Sequence, residues 1–384
     1  MRLSVITAAV VAALVGIAGA LAVVLEAAKA LGATPAETTS WVTALCLSMA
    51  LTSGFLSLRH RMPIITAWST PGAAVIAATA GTMQLDAAVG GFLLAGALLT
   101  ATGLVKPLET AVRRLPVGVA AGMLAGVLIR FVLQMVEAVP EAPLLVLPLV
   151  AVFAVARLRS PGAAMLLVII AGLSLATGLG LVLSWPPLTL SSLTVVTPRF
   201  DAAALVGLGV PLYLVTMASQ NLPGAAVLKA SGYEPPLRSS LLVTGFASML
   251  IAPLGAHPIN LAAITAAICT GPDAHPDPAK RWWTGIAYLA VYTGLAAAGA
   301  SLVALFAVLP AALVKVIAGL GLIGALTGAL GSAVAEERHR FAAVVTFAVT
   351  ASGITVLGVG AAFWGLVAGL AVLGLDRLTA TAKA

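Results

Sequence analysis

The chain has 384 residues, of which 61% are hydrophobic and only 9% charged, and its mean hydropathy is +1.12. So little polar side chain cannot cover a water-facing surface, which excludes a soluble globular domain and points to a polytopic α-helical membrane protein. The net charge of +7 does not indicate a nucleic-acid partner, because what carries information is where the charges fall between the apolar runs.

In chain order, runs long enough to span a bilayer are predicted at 4–28, 41–58, 85–105, 117–136, 142–157, 162–184, 203–228, 237–254, 283–307 and 310–331. Shorter spans are predicted at 63–80 and 257–270, and 341–375 holds two more if it turns near Gly358-Val359-Gly360. The total is about fourteen. Arg2 and the run after it imitate a signal peptide, but the apolar stretch continues past residue 24 and reads as an uncleaved first span. The longest extramembrane stretch, about 185–201, separates 1–198 from 199–384, with seven predicted spans in each half. An odd number per half makes the halves enter the membrane in opposite senses, an inverted repeat. Gly122 with Gly126 and Gly324 with Gly328 predict close helix contacts. Cys46 and Cys269, far apart and in apolar surroundings, read as small buried thiols.

With the amino terminus inside, sixteen of the twenty Lys and Arg residues fall on one face of the membrane. They are Arg2, Arg59, Arg61, Lys106, Arg113, Arg114, Arg157 and Arg159 in the first half. Lys229, Arg238, Lys280, Arg281, Arg338, Arg340, Arg377 and Lys383 complete the set. The opposite loops carry Glu37, Asp86, Glu137 and Glu141, so both termini are predicted to be cytoplasmic.

The two short spans are broken in the same way. In the first, Pro63-Ile64-Ile65-Thr66 is predicted extended, Ser69 or Thr70 caps a half-helix, and Pro71 takes its first turn. In the second, Pro258 and Ile259 are extended, Asn260 caps, and a half-helix runs from Leu261. Entry from opposite sides brings two helix amino termini together near the midplane, where N–H groups and dipole ends favour an anion. Discontinuous helices at matching places in two repeats mark a secondary transporter's binding site.

A third polar cluster, Thr216-Met217-Ala218-Ser219-Gln220-Asn221, lies in the span that opens the second half. It is costly in lipid and is expected to face a cavity, with Pro223 releasing a carbonyl one turn earlier. Arg130 is expected to pair with a helix carbonyl or sit at a cavity wall. His257 titrates near neutrality when unperturbed and is the proton-coupling candidate. His275, Asp273 and Asp277 lie in a Pro-rich loop and read as a turn with solvated charges rather than a metal site. Zincin, nucleophile-elbow and Walker A patterns do not occur, so no enzyme activity, cofactor or metal is expected.

Thr66-Ala67-Trp68-Ser69-Thr70-Pro71-Gly72-Ala73-Ala74, Val215–Asn221 with Pro223-Gly224, and Ala262–Cys269 resemble signature stretches of the BenE-type benzoate/proton symporters. Ala274-His275-Pro276-Asp277 with Arg281-Trp282, Val349–Gly353 and Ala362-Phe363-Trp364-Gly365 extend the resemblance over essentially the whole chain. It implies import of benzoate or a similar aromatic carboxylate with protons across a bacterial inner membrane. More distantly the pattern is similar to the uracil-permease type of fold, a seven-plus-seven inverted repeat with a core and a gate. By that likeness the core covers approximately 1–110 plus 203–307 and the gate approximately 115–185 plus 310–376. The nucleobase permeases of that fold have an acidic residue where this chain has Gln220 and Asn221, which weakens a nucleobase reading.

The expected protein is therefore an all-α secondary transporter with core and gate domains. Trp68, Ser69, Thr70, Gly72, Gln220, Asn221 and Asn260 are its substrate-binding residues. Its partners are a small anionic aromatic substrate, protons and the lipid bilayer; the sequence leaves a homo-oligomer open. A passive anion channel or exchanger, and a nucleobase permease of the same fold, are the alternatives.

Overall fold

The computed structural model describes residues 2–81, 83–105, 116–159, 161–182, 184–357 and 359–381. Lys106, Arg113, Arg114, Gly358 and Lys383 lie outside the described residues. In the first half α1 is Leu3–Ala30 and α2 Pro35–His60, followed by strand β1, Thr66–Trp68, and α3, Thr70–Thr79. Then come α4, Leu85–Leu104, α5, Val117–Glu137, α6, Pro143–Arg159, and α7, Pro161–Gly178.

The second half opens with α8, Ala202–Ala230, and α9, Leu237–Leu254. Strand β2, Ile259–Leu261, leads to α10, Ile264–Thr270. Next are α11, Trp283–Ala297, α12, Gly299–Ala307, α13, Ala311–Ala335, and α14, Arg340–Ser352. A two-stranded hairpin, β3 Thr355–Val356 with β4 Val359–Gly360, precedes α15, Ala361–Thr381. The turn expected near 358 is thus a β-hairpin, and α14 stops before it at Gly353, in the left-handed region at φ 68°.

Among the described residues six helices, α2, α4, α5, α8, α9 and α13, are each long and apolar enough to cross a membrane. Two bent pairs raise the number to as many as eight: α1 bends by 41° between Ala18 and Ala20, and the segment Pro278–Ala297 meets α12 at 58°. The elements form two groups. Helix α2 lies along α11 and α4 along α9, whereas α5 lies along α13 and α14, and α14 along α15. Helix α1 touches both groups, through α11 and α3 on one side and α13 and α7 on the other.

Local chemistry explains where the elements begin and stop. Helix α2 opens on a capping box between Thr34 and Glu37, with Pro35 at its first position, and closes at Arg61 with φ 54°. Helix α8 widens into π turns at Leu205–Gly209 and Met217–Asn221. The second lies directly before Pro223, which lacks an N–H and whose ring excludes the carbonyl four residues back. Gly122 and Gly126 behave as expected: a Cβ at either would stand 2.3 Å from the Ala343 carbonyl or 2.6 Å from Thr350 Cβ on α14. Gly324 and Gly328 correct the matching expectation. Nothing lies within 4 Å of their Cβ positions, because both border cavities instead of a neighbouring helix.

The start of α1 and the end of α2 both meet the segment between α10 and α11. Ser4 Oγ donates to the Ala274 carbonyl at 2.9 Å, and the Arg61 guanidinium lies 4.3 Å over the Trp282 ring. The loop after α10 is not a solvated turn throughout. Arg281 and His275 are buried, and Arg281 donates to the carbonyls of His275 at 2.7 Å and Thr270 at 2.9 Å, fixing the end of α10. On the opposite side the extended stretch after α7 lies across the first group, with Val196 N–H on the Pro253 carbonyl and Arg199 paired to Asp86 at 3.0 Å.

Candidate functional site

The two broken segments meet. Strands β1 and β2 pair antiparallel with Thr66 opposite Leu261, Ala67 opposite Asn260 and Trp68 opposite Ile259. The ladder extends to Ala262 N–H on the Ile65 carbonyl at 2.9 Å. A two-stranded ribbon deep in an apolar environment leaves its outer N–H groups to be satisfied by side chains. Helix α2 serves β1: Ser53 Oγ accepts from Thr66 N–H at 2.9 Å, and Ser57 Oγ accepts from Ile64 N–H at 3.1 Å. Helices α8 and α9 serve β2: Asn221 Oδ1 accepts from Leu261 N–H at 3.0 Å, and Ser248 Oγ accepts from Ile259 N–H at 3.0 Å.

Ser69 caps α3 as expected, its Oγ accepting from Gly72 N–H at 3.0 Å while its carbonyl accepts from Ala73 N–H at 2.8 Å. With Pro71 lacking a donor, the first turn of α3 offers fewer open N–H groups than the sequence suggests. Among the described residues Thr70 N–H and Thr70 Oγ1 make no hydrogen bond. Asn260 corrects its expected role. It is not a helix cap but the middle residue of β2, and α10 starts at Ile264 behind Ala263, which offers no side-chain cap. With the Asn260 amide oriented to satisfy both of its atoms, Oδ1 accepts from Ser69 N–H at 3.0 Å and Nδ2 donates to the Leu261 carbonyl at 2.8 Å. Gly72 is required by packing, since a Cβ there would stand 2.7 Å from Leu212 Cδ1 and from Ser69 Oγ.

His257 is fully buried behind the ribbon. Trp41 Nε1–H donates to its Nδ1 at 3.0 Å, and its Nε2 lies 3.2 Å from the Ser69 carbonyl. An indole N–H can only donate, so Nδ1 is the acceptor and the ring proton sits on Nε2, facing Ser69. In this arrangement the imidazole is neutral and satisfied at both nitrogens.

A cavity of about 950 Å³ opens on the other side of the ribbon. Trp68, Thr70, Pro71 and Gln220 line it where the two segments meet. Ala263 and Thr265 at the start of α10 face it as well. Ser69, Asn221, Asn260 and His257 do not line it, so the expected site divides into cavity-facing residues and a buried polar frame behind them. Gln220 also borders a second cavity of about 340 Å³ between α5, α8 and α13.

Several contributors escaped the sequence reading. Tyr288 and Tyr292 on α11 line the large cavity, with ring centroids 4.4 Å apart. Two of the chain's four tyrosines spaced four apart in an apolar span were a signal for one helix face. Ser53 and Ser57 show the same spacing on α2. Phe153 and Arg157 on α6 line it as well. Among the described residues no three His, Cys, Asp or Glu side chains gather to hold a metal ion.

Comparisons with known proteins give the family and the fold. The family model BenE, described as benzoate membrane transport protein, matches residues 1–375. The chain is 38% identical over 359 residues to the inner membrane protein YdcO of Escherichia coli (strain K12), covering 93% of this chain and 92% of that one. It is 34% identical over 369 residues to a benzoate membrane transport protein of Acinetobacter baylyi (strain ATCC 33305 / BD413 / ADP1), with coverage of 96% and 94%. Among solved structures, the transmembrane domain of a cyanobacterium bicarbonate transporter, BicA, superposes with a TM-score of 0.65 at 15% identity, covering 96% of this chain and 98% of that one. At that identity the likeness carries the fold alone, and the fold is that of an all-α membrane protein of the BicA transmembrane type.

Proposed function

The chain belongs to the BenE family of benzoate membrane transport proteins, a transporter family and not an enzyme family, and on that premise we propose that it imports benzoate or a closely related aromatic carboxylate together with protons. The observation that carries this reading is the joining of β1 and β2 beside a cavity of about 950 Å³ whose lining is largely apolar. A benzene ring fits such a lining, and a few fixed polar groups orient its carboxylate. The Thr70 N–H and hydroxyl and the Gln220 amide are the donors at the meeting point, with Trp68 against the ring. Ser69, Gly72, Asn221 and Asn260 hold those donors in place.

Proton coupling is assigned to His257. A proton arriving at Nδ1 would set N–H against the Trp41 N–H, so protonation and the Trp41 contact exclude each other. The consequence reaches Ser69, which His257 touches through its carbonyl and which caps the binding helix. Support for the wider architecture comes from the matching strand-helix units and from the two helix groups. We assign fourteen crossing segments in halves 1–198 and 199–384, a core of approximately 1–110 plus 203–307 and a gate of approximately 115–185 plus 310–376. The location is a bacterial inner membrane, with both termini in the cytoplasm by the distribution of basic residues. Uptake of labelled benzoate into proteoliposomes under an imposed proton gradient tests the reading, with Thr70→Ala and Gln220→Ala expected to lose uptake while remaining folded. Uptake unchanged in both variants places the carboxylate elsewhere.

A further inference from the structure

Among the described residues that line the large cavity, one is charged, Arg157 in the last turn of α6. Its side chain is exposed, and among the described residues it makes no ion pair or hydrogen bond. Phe153 precedes it by four residues, so both project from one face of the helix into the same space. Positive-inside topology alone does not call for this placement, because Arg159 supplies a cation at the same helix end and does not line the cavity. A guanidinium is a bidentate carboxylate donor, and an adjacent aromatic ring offers a stacking face.

We propose that Phe153 and Arg157 form a second station for the substrate, at the cavity mouth, separate from the site at Thr70 and Gln220. The guanidinium takes the carboxylate and the Phe153 ring lies against the substrate ring, so the anion has a partner while passing between the polar meeting point and the Arg157 end of the cavity. This rests on the aromatic-carboxylate reading given above. The station sits on a helix assigned above to the gate, whereas the central donors sit on the assigned core, so the substrate changes partners between the two groups.

The test is benzoate uptake into proteoliposomes by the wild type, Arg157→Gln, Arg157→Lys and Arg159→Gln, at low and high ionic strength, with size-exclusion profiles as the control for folding. Arg157→Gln is expected to raise KM roughly fivefold, Arg157→Lys to raise it less, and Arg159→Gln to leave it unchanged, as loss of one partly exposed charge-assisted contact requires. Salt is expected to raise the wild-type KM towards that of Arg157→Gln and to leave the variant flat. Equal shifts in Arg157→Gln and Arg159→Gln, or no shift in either, overturn the station. No protein-dependent uptake by the wild type overturns instead the parent reading.

Discussion

Asn221 Oδ1 accepts the Leu261 N–H at 3.0 Å, and that bond fastens α8 to the strand of the second broken segment. Its neighbour Gln220 points the other way, into the cavity. Successive residues of a helix point more than a quarter-turn apart, so the two side chains leave α8 in different directions. Asn221 belongs to the buried frame, and Gln220 faces the cavity.

The two residues therefore fail differently when changed. Asn221→Ala leaves a buried N–H without an acceptor, at a cost of about 1–3 kcal/mol. Thermal unfolding in detergent is expected to show a lower midpoint, together with lost uptake. Gln220→Ala is expected to keep the wild-type midpoint and lose uptake. A stable Asn221→Ala protein would remove Asn221 from the frame.

In the proposed coupling, the Trp41 N–H and an incoming proton compete for His257 Nδ1. Trp41→Phe removes the N–H that occupies Nδ1, after which a proton binds there without breaking a bond. The midpoint of proton-dependent uptake is expected to move to higher pH in Trp41→Phe, and His257→Gln is expected to abolish accumulation driven by the gradient. Gradient-driven accumulation by His257→Gln at the wild-type level would assign the proton to another carrier.

Glycines that look alike in sequence differ in what surrounds them. Gly122→Ala drives a Cβ to 2.3 Å from the Ala343 carbonyl, whereas Gly324→Ala meets nothing within 4 Å. The first is expected to destabilise by about 1–3 kcal/mol as an overpacked contact. The second is expected to fold normally. Unfolding midpoints of the two variants compare them directly, and a tolerated Gly122→Ala would mean that α5 and α14 are able to separate without cost.

Much of the fold was legible because lipid imposes few solutions. Long apolar runs and two Pro-broken segments follow from the need to satisfy every backbone group inside the membrane. Ser69 as cap was legible for the same reason, since Ser before Pro at the first helical position is a local signal. The role of Asn260 was not, because pairing with Ala67 depends on a strand nearly two hundred residues away. Capping and strand chemistry read alike in a short polar-apolar segment. The π turn in α8 also escaped, as did which of Gln220 and Asn221 faces the cavity. Tyr288, Tyr292, Phe153 and Arg157 come to line one cavity only when helices distant in sequence enclose it. The contrast between Gly122 and Gly324 likewise depends on which helix lies opposite.

The central claim is that the cavity beside the paired broken segments carries an aromatic carboxylate coupled to protons. The direct measurement is labelled benzoate uptake into proteoliposomes with an alkaline lumen and acidic exterior, compared with no gradient, with protein-free vesicles and with Gln220→Ala. The account predicts protein-dependent accumulation above equilibrium that collapses with a protonophore and is absent in Gln220→Ala. Equilibration without accumulation contradicts the coupling and indicates a passive pathway, and uptake no greater than in protein-free vesicles contradicts the benzoate assignment.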